Sequence, residues 1–282
     1  MELSIWRGEW GLGSVSIECL EALVYSKIVQ AVQKIHVRKY VFSSDMSPWL
    51  WVSSSGKSVV GASSIISYLK SENLDADCNL TQKERADILA YKNMIKYKIA
   101  PALKYAMWCD ERNYCEVIRP TFAKIYTFPS NYSMPGRLQR AALLEAWGRF
   151  GECATPNEME TKLNRKAREC MTALSERLGK SSYFFGSKPT SFDAYVFAYL
   201  SLIVKTPLPN ASLNGHLNTF SNLVEFESRI HNRFVASEVR RRAAGRTRPE
   251  WVGVVLSLSF AASVMFSYAI VKGILHIDFK TE

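Results

Sequence analysis

The sequence predicts a mixed α/β half, then an all-helical half, then a single C-terminal membrane span. Three observations carry this reading. Short alternating apolar runs fill residues 1–72, residues 188–204 announce a helix apolar on nearly every side, and residues 251–271 contain no charged side chain. With 282 residues and a hydrophobic fraction of 48%, the chain has ample material for real cores.

In the first half, residues 3–7 alternate and suit a strand, and residues 8–14 form a glycine-bearing turn. Ser16 is placed to cap a helix that carries Ile17, Leu20, Leu23, Val24 and Ile28 on one face. Residues 35–42 alternate again as a second strand. A third strand over 47–52 is entered through Pro48, residues 53–57 turn, and residues 58–60 make a fourth. Ser63 or Ser64 caps a short helix with Ile65, Ile66 and Leu69. Strand, helix, three strands, helix is the order of a thioredoxin-like domain, assigned to 1–72.

The polar link 71–78, with Asp75 and Asp77, marks the boundary to a helical domain assigned to 79–236. Thr81 and Glu84 form a capping box ahead of the stripe Ile88, Tyr91, Ile95, Ile99, Leu103 and Met107, and Pro101 is expected to bend that helix. Residues 114–125 and 138–150 read as further helices, separated by 128–136. Residues 158–178 carry charges on one side and Leu163, Ala167, Met171, Leu174 and Leu178 on the other, with Gly179 as the stop. The central helix starts at a second box, Thr190 with Asp193, just after Pro189, and ends before Pro207 and Pro209. From Phe192 to Val204 it has almost no wet face and is too short to cross a bilayer, so it must be a core helix. One more helix is expected over 216–234.

Residues 237–250 form a basic linker with Arg240, Arg241, Arg242, Arg246 and Arg248. The apolar stretch 251–271, opened by Trp251 and closed by Val271, spans about 31 Å as a helix, close to a hydrocarbon core. The arginine-rich approach, the interfacial Trp251 and the polar tail 272–282 frame a transmembrane tail anchor rather than a packed helix. Insertion would then be post-translational, with the bulk of the chain in the cytosol. Ser257, Ser259, Ser263 and Ser267 make the stretch only moderately apolar, which suits the mitochondrial outer membrane. A net charge of +10 suits an anionic partner, and in the absence of any helix-turn-helix, zinc-finger, RRM or KH signature that partner is the membrane surface and not nucleic acid.

Little in the sequence calls for chemistry. Six cysteines lie scattered without a Cys-x-x-Cys or zinc spacing and read as free thiols of a reducing compartment. His36, His216, His231 and His276 lie apart with no evident orienting partner, and residues 134–137, Met-Pro-Gly-Arg, read as a tight turn. A thioredoxin-like domain followed by a helical one is nevertheless the architecture of glutathione transferases. Such enzymes activate the thiol with a Tyr, Ser or Cys near the start of the first helix and hold the tripeptide beside a cis-proline. Ser14 or Ser16 could supply the hydroxyl and Pro48 the proline, although a cap explains Ser16 fully. The Glu-Ser or Gln-Ser pair that normally binds the γ-glutamyl carboxylate is replaced by Gly61 and Ala62, which cannot make those hydrogen bonds. The fold is kept and the cofactor site looks dismantled, so no catalytic residue, cofactor or metal is expected.

A degenerate transferase fold joined to a C-terminal anchor resembles the metaxins of the tail-anchored kind. The matching blocks are Ser54-Ser-Gly56, residues 134–140, and the run 167–179 that leads through Tyr183-Phe-Phe-Gly186 into 190–200. The resemblance covers nearly the whole chain. It implies a non-enzymatic subunit of the mitochondrial outer-membrane sorting and assembly machinery, facing the cytosol and helping to import and assemble β-barrel proteins. Its partners would be the β-barrel insertase, a second metaxin and β-barrel precursors. Motor adaptors are a further implied partner, with organelle tethering as an alternative role. A membrane-bound glutathione transferase is the alternative from the enzyme class.

Overall fold

The computed structural model describes residues 1–38, 46–54, 56–150, 155–244 and, beyond those, 259, 260, 262, 263, 265, 268 and 272. Met1–Val239 forms one compact unit and Arg240–Glu282 a second.

The first unit begins with a four-stranded sheet: β1 (Glu2–Ile5), β2 (Lys34–Val37), β3 (Trp49–Val52) and β4 (Lys57–Val60), in the order β2-β1-β3-β4. β1 runs parallel to β2 and antiparallel to β3, and β3 is antiparallel to β4. The crossover between β1 and β2 is α1 (Ile17–Ile28), and α2 (Ala62–Ser71) follows β4. Side chains alternate across a strand, so Leu3, Ile5, Leu50 and Val52 go to the core and are buried. The opposite face is less protected. Trp49 and Trp51 remain 47% and 48% exposed, with Val60 paired beside Trp49 and the Arg38 guanidinium stacked 4.2 Å above the Trp49 ring. β2 takes up the start of the alternation expected over 35–42; residues 39–45 lie outside the described residues.

The remaining elements are helical. α3 (Gln82–Trp108) opens on the Thr81–Glu84 box and contains Pro101. α4 (Glu111–Asn113) passes through a π-helical turn, Tyr114–Ile118, into α5 (Arg119–Ile125). α6 (Ser130–Phe150) starts ahead of the predicted 138 and takes in the expected turn at 134–137. Met134 and Pro135 are both buried there. Packing of those two side chains prevails over the local preference of Pro-Gly for a turn. α7 (Pro156–Leu178) follows, then α8 (Ser191–Lys205), whose buried side chains include Phe192, Val196, Phe197 and Leu200. The single helix expected over 216–234 is two, α9 (Ser212–Asn218) and α10 (Ser221–Ile230), followed by a π-helical turn at His231–Val235 and α11 (Ala236–Ala244). The break falls where the Thr219 hydroxyl donates to the His216 carbonyl at 2.7 Å and the Phe220 amide to that of Leu217 at 2.9 Å, satisfying the end of α9 locally.

The sheet half and the helical half share one core. α1 packs along α8, and Trp6 meets the Tyr126 ring edge-on with centroids 5.3 Å apart. In the second unit, Ser263 donates to the Ser259 carbonyl at 2.8 Å, a bond between residues one helical turn apart. Most of the stretch 251–271, including Trp251 and Val271, lies outside the described residues, as do Arg246 and Arg248. Among the described residues no helix is long and apolar enough to cross a membrane.

Candidate functional site

Transferase-like folds place their ligand where the start of α1, the start of β3 and the start of α2 converge. The turn that delivers α1 is shaped by Gly8, where any Cβ would collide with the Leu12 carbonyl oxygen. It sends Ser14 and Ser16 inward, and both are buried. The Ser16 hydroxyl accepts from the Cys19 amide at 3.4 Å, as an N-cap, and donates to the Met46 carbonyl at 2.8 Å. Ser14 Oγ accepts from the Ser16 amide at 3.2 Å. Cys19 is also enclosed: its thiol lies 3.4 Å from the Met46 carbonyl and 3.5 Å from the Trp6 amide, and burial pushes it above its ordinary range. A nucleophile needs an open approach and a base within reach. Among the described residues, none of these three groups has both.

At the start of α2 the cap position belongs to Gly61, not to Ser63 or Ser64, which lie inside the helix. Gly61 has φ 88°, a conformation that disfavours any other residue, and it gives the helix no side-chain cap. A Cβ placed on it would begin 4.0 Å from Glu18 Oε2. The chain's own carboxylate thus stands beside the helix start, where transferases receive that of glutathione. Pro48 accepts from the Gly61 amide through its carbonyl at 2.9 Å. The Ser47–Pro48 bond is not cis, contrary to expectation; the cis bond among the described residues is Phe128–Pro129.

The second predicted position, the start of α8, is a dense polar junction. Asp193 is fully buried; its carboxylate accepts from the Thr190 amide at 2.7 Å, the Thr190 hydroxyl at 2.6 Å and the Phe184 amide at 3.0 Å. The box therefore also fixes the aromatic loop ahead of α8, where the Phe184 and Phe192 rings meet edge-on at 5.1 Å. Burial pushes the Asp193 carboxyl up to about 6 against the pull of these donors. Beside it stands Asp77, which sequence reasoning assigned to a polar link. Its carboxylate accepts from the Ser191 amide at 2.8 Å, the Ser191 hydroxyl at 2.6 Å and Lys70 at 2.6 Å. Burial works to raise it, but Lys70 and Ser191 outweigh burial and hold it below the usual carboxylate range. Residues 114 positions apart are joined here, and no spacing rule could have paired them.

Other titratable groups are scattered, some buried and some at the surface. Glu21 on α1 is buried 3.5 Å from Lys92, and burial raises its carboxyl. His36 has a partner after all, the Glu2 carboxylate at 3.1 Å. His231 is held below its ordinary value by burial and by nearby Lys205, and His276 lies outside the described residues. Among the described residues no three His, Cys, Asp or Glu side chains stand together as a metal site requires.

Comparison with known proteins gives this geometry a context. The family described as "Outer mitochondrial membrane transport complex protein" matches residues 19–139, and "Glutathione S-transferase, C-terminal domain" matches 167–230. Metaxin-1 of Mus musculus is 35% identical over 99% of this chain and 92% of its own length. Metaxin-3 of Xenopus laevis is 36% identical over 87% of this chain and 81% of its own. Among solved structures, a glutathione S-transferase of Ceriporiopsis subvermispora in complex with glutathione aligns with a TM-score of 0.56 at 13% identity, covering 83% of this chain and 97% of that one. A β-etherase of Sphingobium aligns with 0.54 at 16%, covering 86% and 100%. Likeness at such identities establishes the fold alone.

Proposed function

The chain belongs to the metaxin family, and on that premise we propose that it is a non-catalytic, cytosol-facing subunit of a protein-transport complex of the mitochondrial outer membrane. In this reading 1–72 and 79–236 form the working body, 237–250 is a basic linker, 251–271 a transmembrane tail anchor and 272–282 a short tail. Arg240, Arg241, Arg242, Arg246 and Arg248 lie against the membrane surface. The body receives β-barrel precursors for the outer-membrane insertase and pairs with a second metaxin in the sorting and assembly machinery.

One observation carries the reading: the ligand position of a transferase-like fold lacks the side chains that would hold glutathione. Ser16 is committed to Met46 and Cys19, Gly61 offers no side chain, and Glu18 stands beside the start of α2. A fold kept intact without its chemistry is what a scaffold needs. The matching family's description, an outer mitochondrial membrane transport complex protein, supports the location. To test this, mitochondrial membranes are solubilised in mild detergent and the chain is captured through an N-terminal tag. Recovery of a barrel-forming insertase and a second metaxin-like chain is expected. Recovery of the chain alone, or with motor adaptors only, would overturn the import role.

The competing reading is a membrane-bound glutathione transferase, which would bind glutathione without the usual pair at Gly61 and Ala62. Passage of the full chain in detergent over immobilised glutathione separates the two. The scaffold reading expects flow-through, and retention eluted by free glutathione would restore the enzyme.

A further inference from the structure

A polar groove runs between α7 and α9, on neither of the positions described above. Open to solvent, it offers about 470 Å³, within the range of small-molecule sites and more than a bare phosphate fills. From α7 it takes Glu160, Thr161, Asn164, Arg165 and Arg168, residues three to four apart and therefore on one face of the helix. From α9 it takes Ser212 and His216, one turn apart.

The floor is fixed before any ligand arrives. Glu160 Oε1 accepts from the Ser212 hydroxyl at 2.7 Å and from the Asn210 side chain at 3.1 Å, and Asn164 donates to Ser212 at 3.1 Å. Asn210 is held in turn by Asp110 at 3.0 Å and by Asn113, which accepts its amide at 2.7 Å. The carboxylate nearest the arginines on this floor is thus already engaged by neutral donors. The other acid close to them on α7, Glu169, is paired with Lys98 at 2.9 Å. Arg165 and Arg168 line the groove with no ion-pair partner among the described residues. Two guanidiniums on one helix and an imidazole on its neighbour, over a rigid floor rich in amides and hydroxyls, match a tetrahedral anion that carries a polar group. Guanidinium forks bind phosphoryl oxygens in pairs.

We propose that this groove binds an organic phosphate, its phosphoryl group held by Arg165 and Arg168 with His216, and its polar remainder resting over Thr161 and Asn164. A phospholipid headgroup and a free phosphate ester present that same chemistry. Both are tested on the full chain in a neutral maltoside detergent at one ionic strength. sn-Glycerol 3-phosphate is titrated calorimetrically, and phosphatidic acid retention is counted by native mass spectrometry. The expected result is saturable binding of at least one probe, weakened at least tenfold in an Arg165→Gln/Arg168→Gln double variant with unchanged circular dichroism. Lys162→Gln, on α7 but outside the groove, should bind as the native chain does. Binding of the ester identifies a free phosphate as the source, and retention of the lipid alone identifies a headgroup. Failure of both probes to saturate, or equal binding by the double variant, would overturn the proposal.

Discussion

At Asp193 one carboxylate serves three donors and gives up all of its water. Removing it as Asp193→Ala would orphan the Thr190 amide and hydroxyl and the Phe184 amide in a dry site, at a cost of roughly 3 kcal/mol or more. Its acidity has a sign of its own. The ordinary value is 3.8 and the folded one about 6, so between these the native state holds a proton that the unfolded chain has lost. This group's contribution therefore falls as pH rises from about 4 to about 6, by an amount on the order of 2 to 3 kcal/mol. Denaturant midpoints of the native chain and Asp193→Asn, measured from pH 4 to 7.5, should differ by a margin that shrinks over that window and then levels off. A constant margin would mean the carboxyl titrates normally. The box itself was legible, because Thr-x-x-Asp ahead of an apolar run is a local signal. Its bond to Phe184 was not: nothing local shows that the loop nine residues back folds over the helix start.

Among the elements, the starts of helices decide most. α1 and α3 open on the capping side chains expected of them, α7 on a Thr155–Glu158 box that the reading of 158–178 did not include, and the apolar stripes of all three appear as spaced. α6 resisted reading because Met-Pro-Gly favours a turn, and only the burial of Met134 and Pro135 makes it helix. α8 depends on a residue from outside itself. Asp77→Asn keeps the shape but leaves Lys70 only the more distant Asp75 carboxylate, 3.7 Å away, and weakens the bonds from Ser191. The expected loss is about 1 to 3 kcal/mol by thermal unfolding, since a charge-assisted bond is the stronger kind. An unchanged midpoint would reduce the junction to a bystander. The proposed anchor is an element too, and the test of it is simple. A chain ended at Pro249 should appear in the soluble fraction of fractionated cells; if it stays with the outer membrane, a partner and not the tail is what holds it.

For the whole molecule, the sheet half and the helical half have no separate interiors. Trp6 rests on Tyr126, Glu21 on α1 faces Lys92 on α3, and Asp77 joins α2 to α8. Within Met1–Val239 unfolding should therefore be one event. Far-UV circular dichroism and near-UV signals of the full chain in detergent should lose structure at the same temperature, and two resolved steps would show that the halves stand alone. The overall fold was legible because periodicity and element order survive in a single chain. Which side of the sheet is dry was not, because Trp49, Leu50, Trp51 and Val52 are apolar on both faces and only the register separates them. That same pair of half-exposed indoles gives the protein an optical handle. Trp6 and Trp108 are buried, whereas Trp49, beneath the cationic Arg38, and Trp51 meet solvent, as does Trp147 on α6, so in a Trp147→Phe variant iodide should quench the sheet-face emission ahead of the buried pair. Anything that settles on that face announces itself as light the halide can no longer take away.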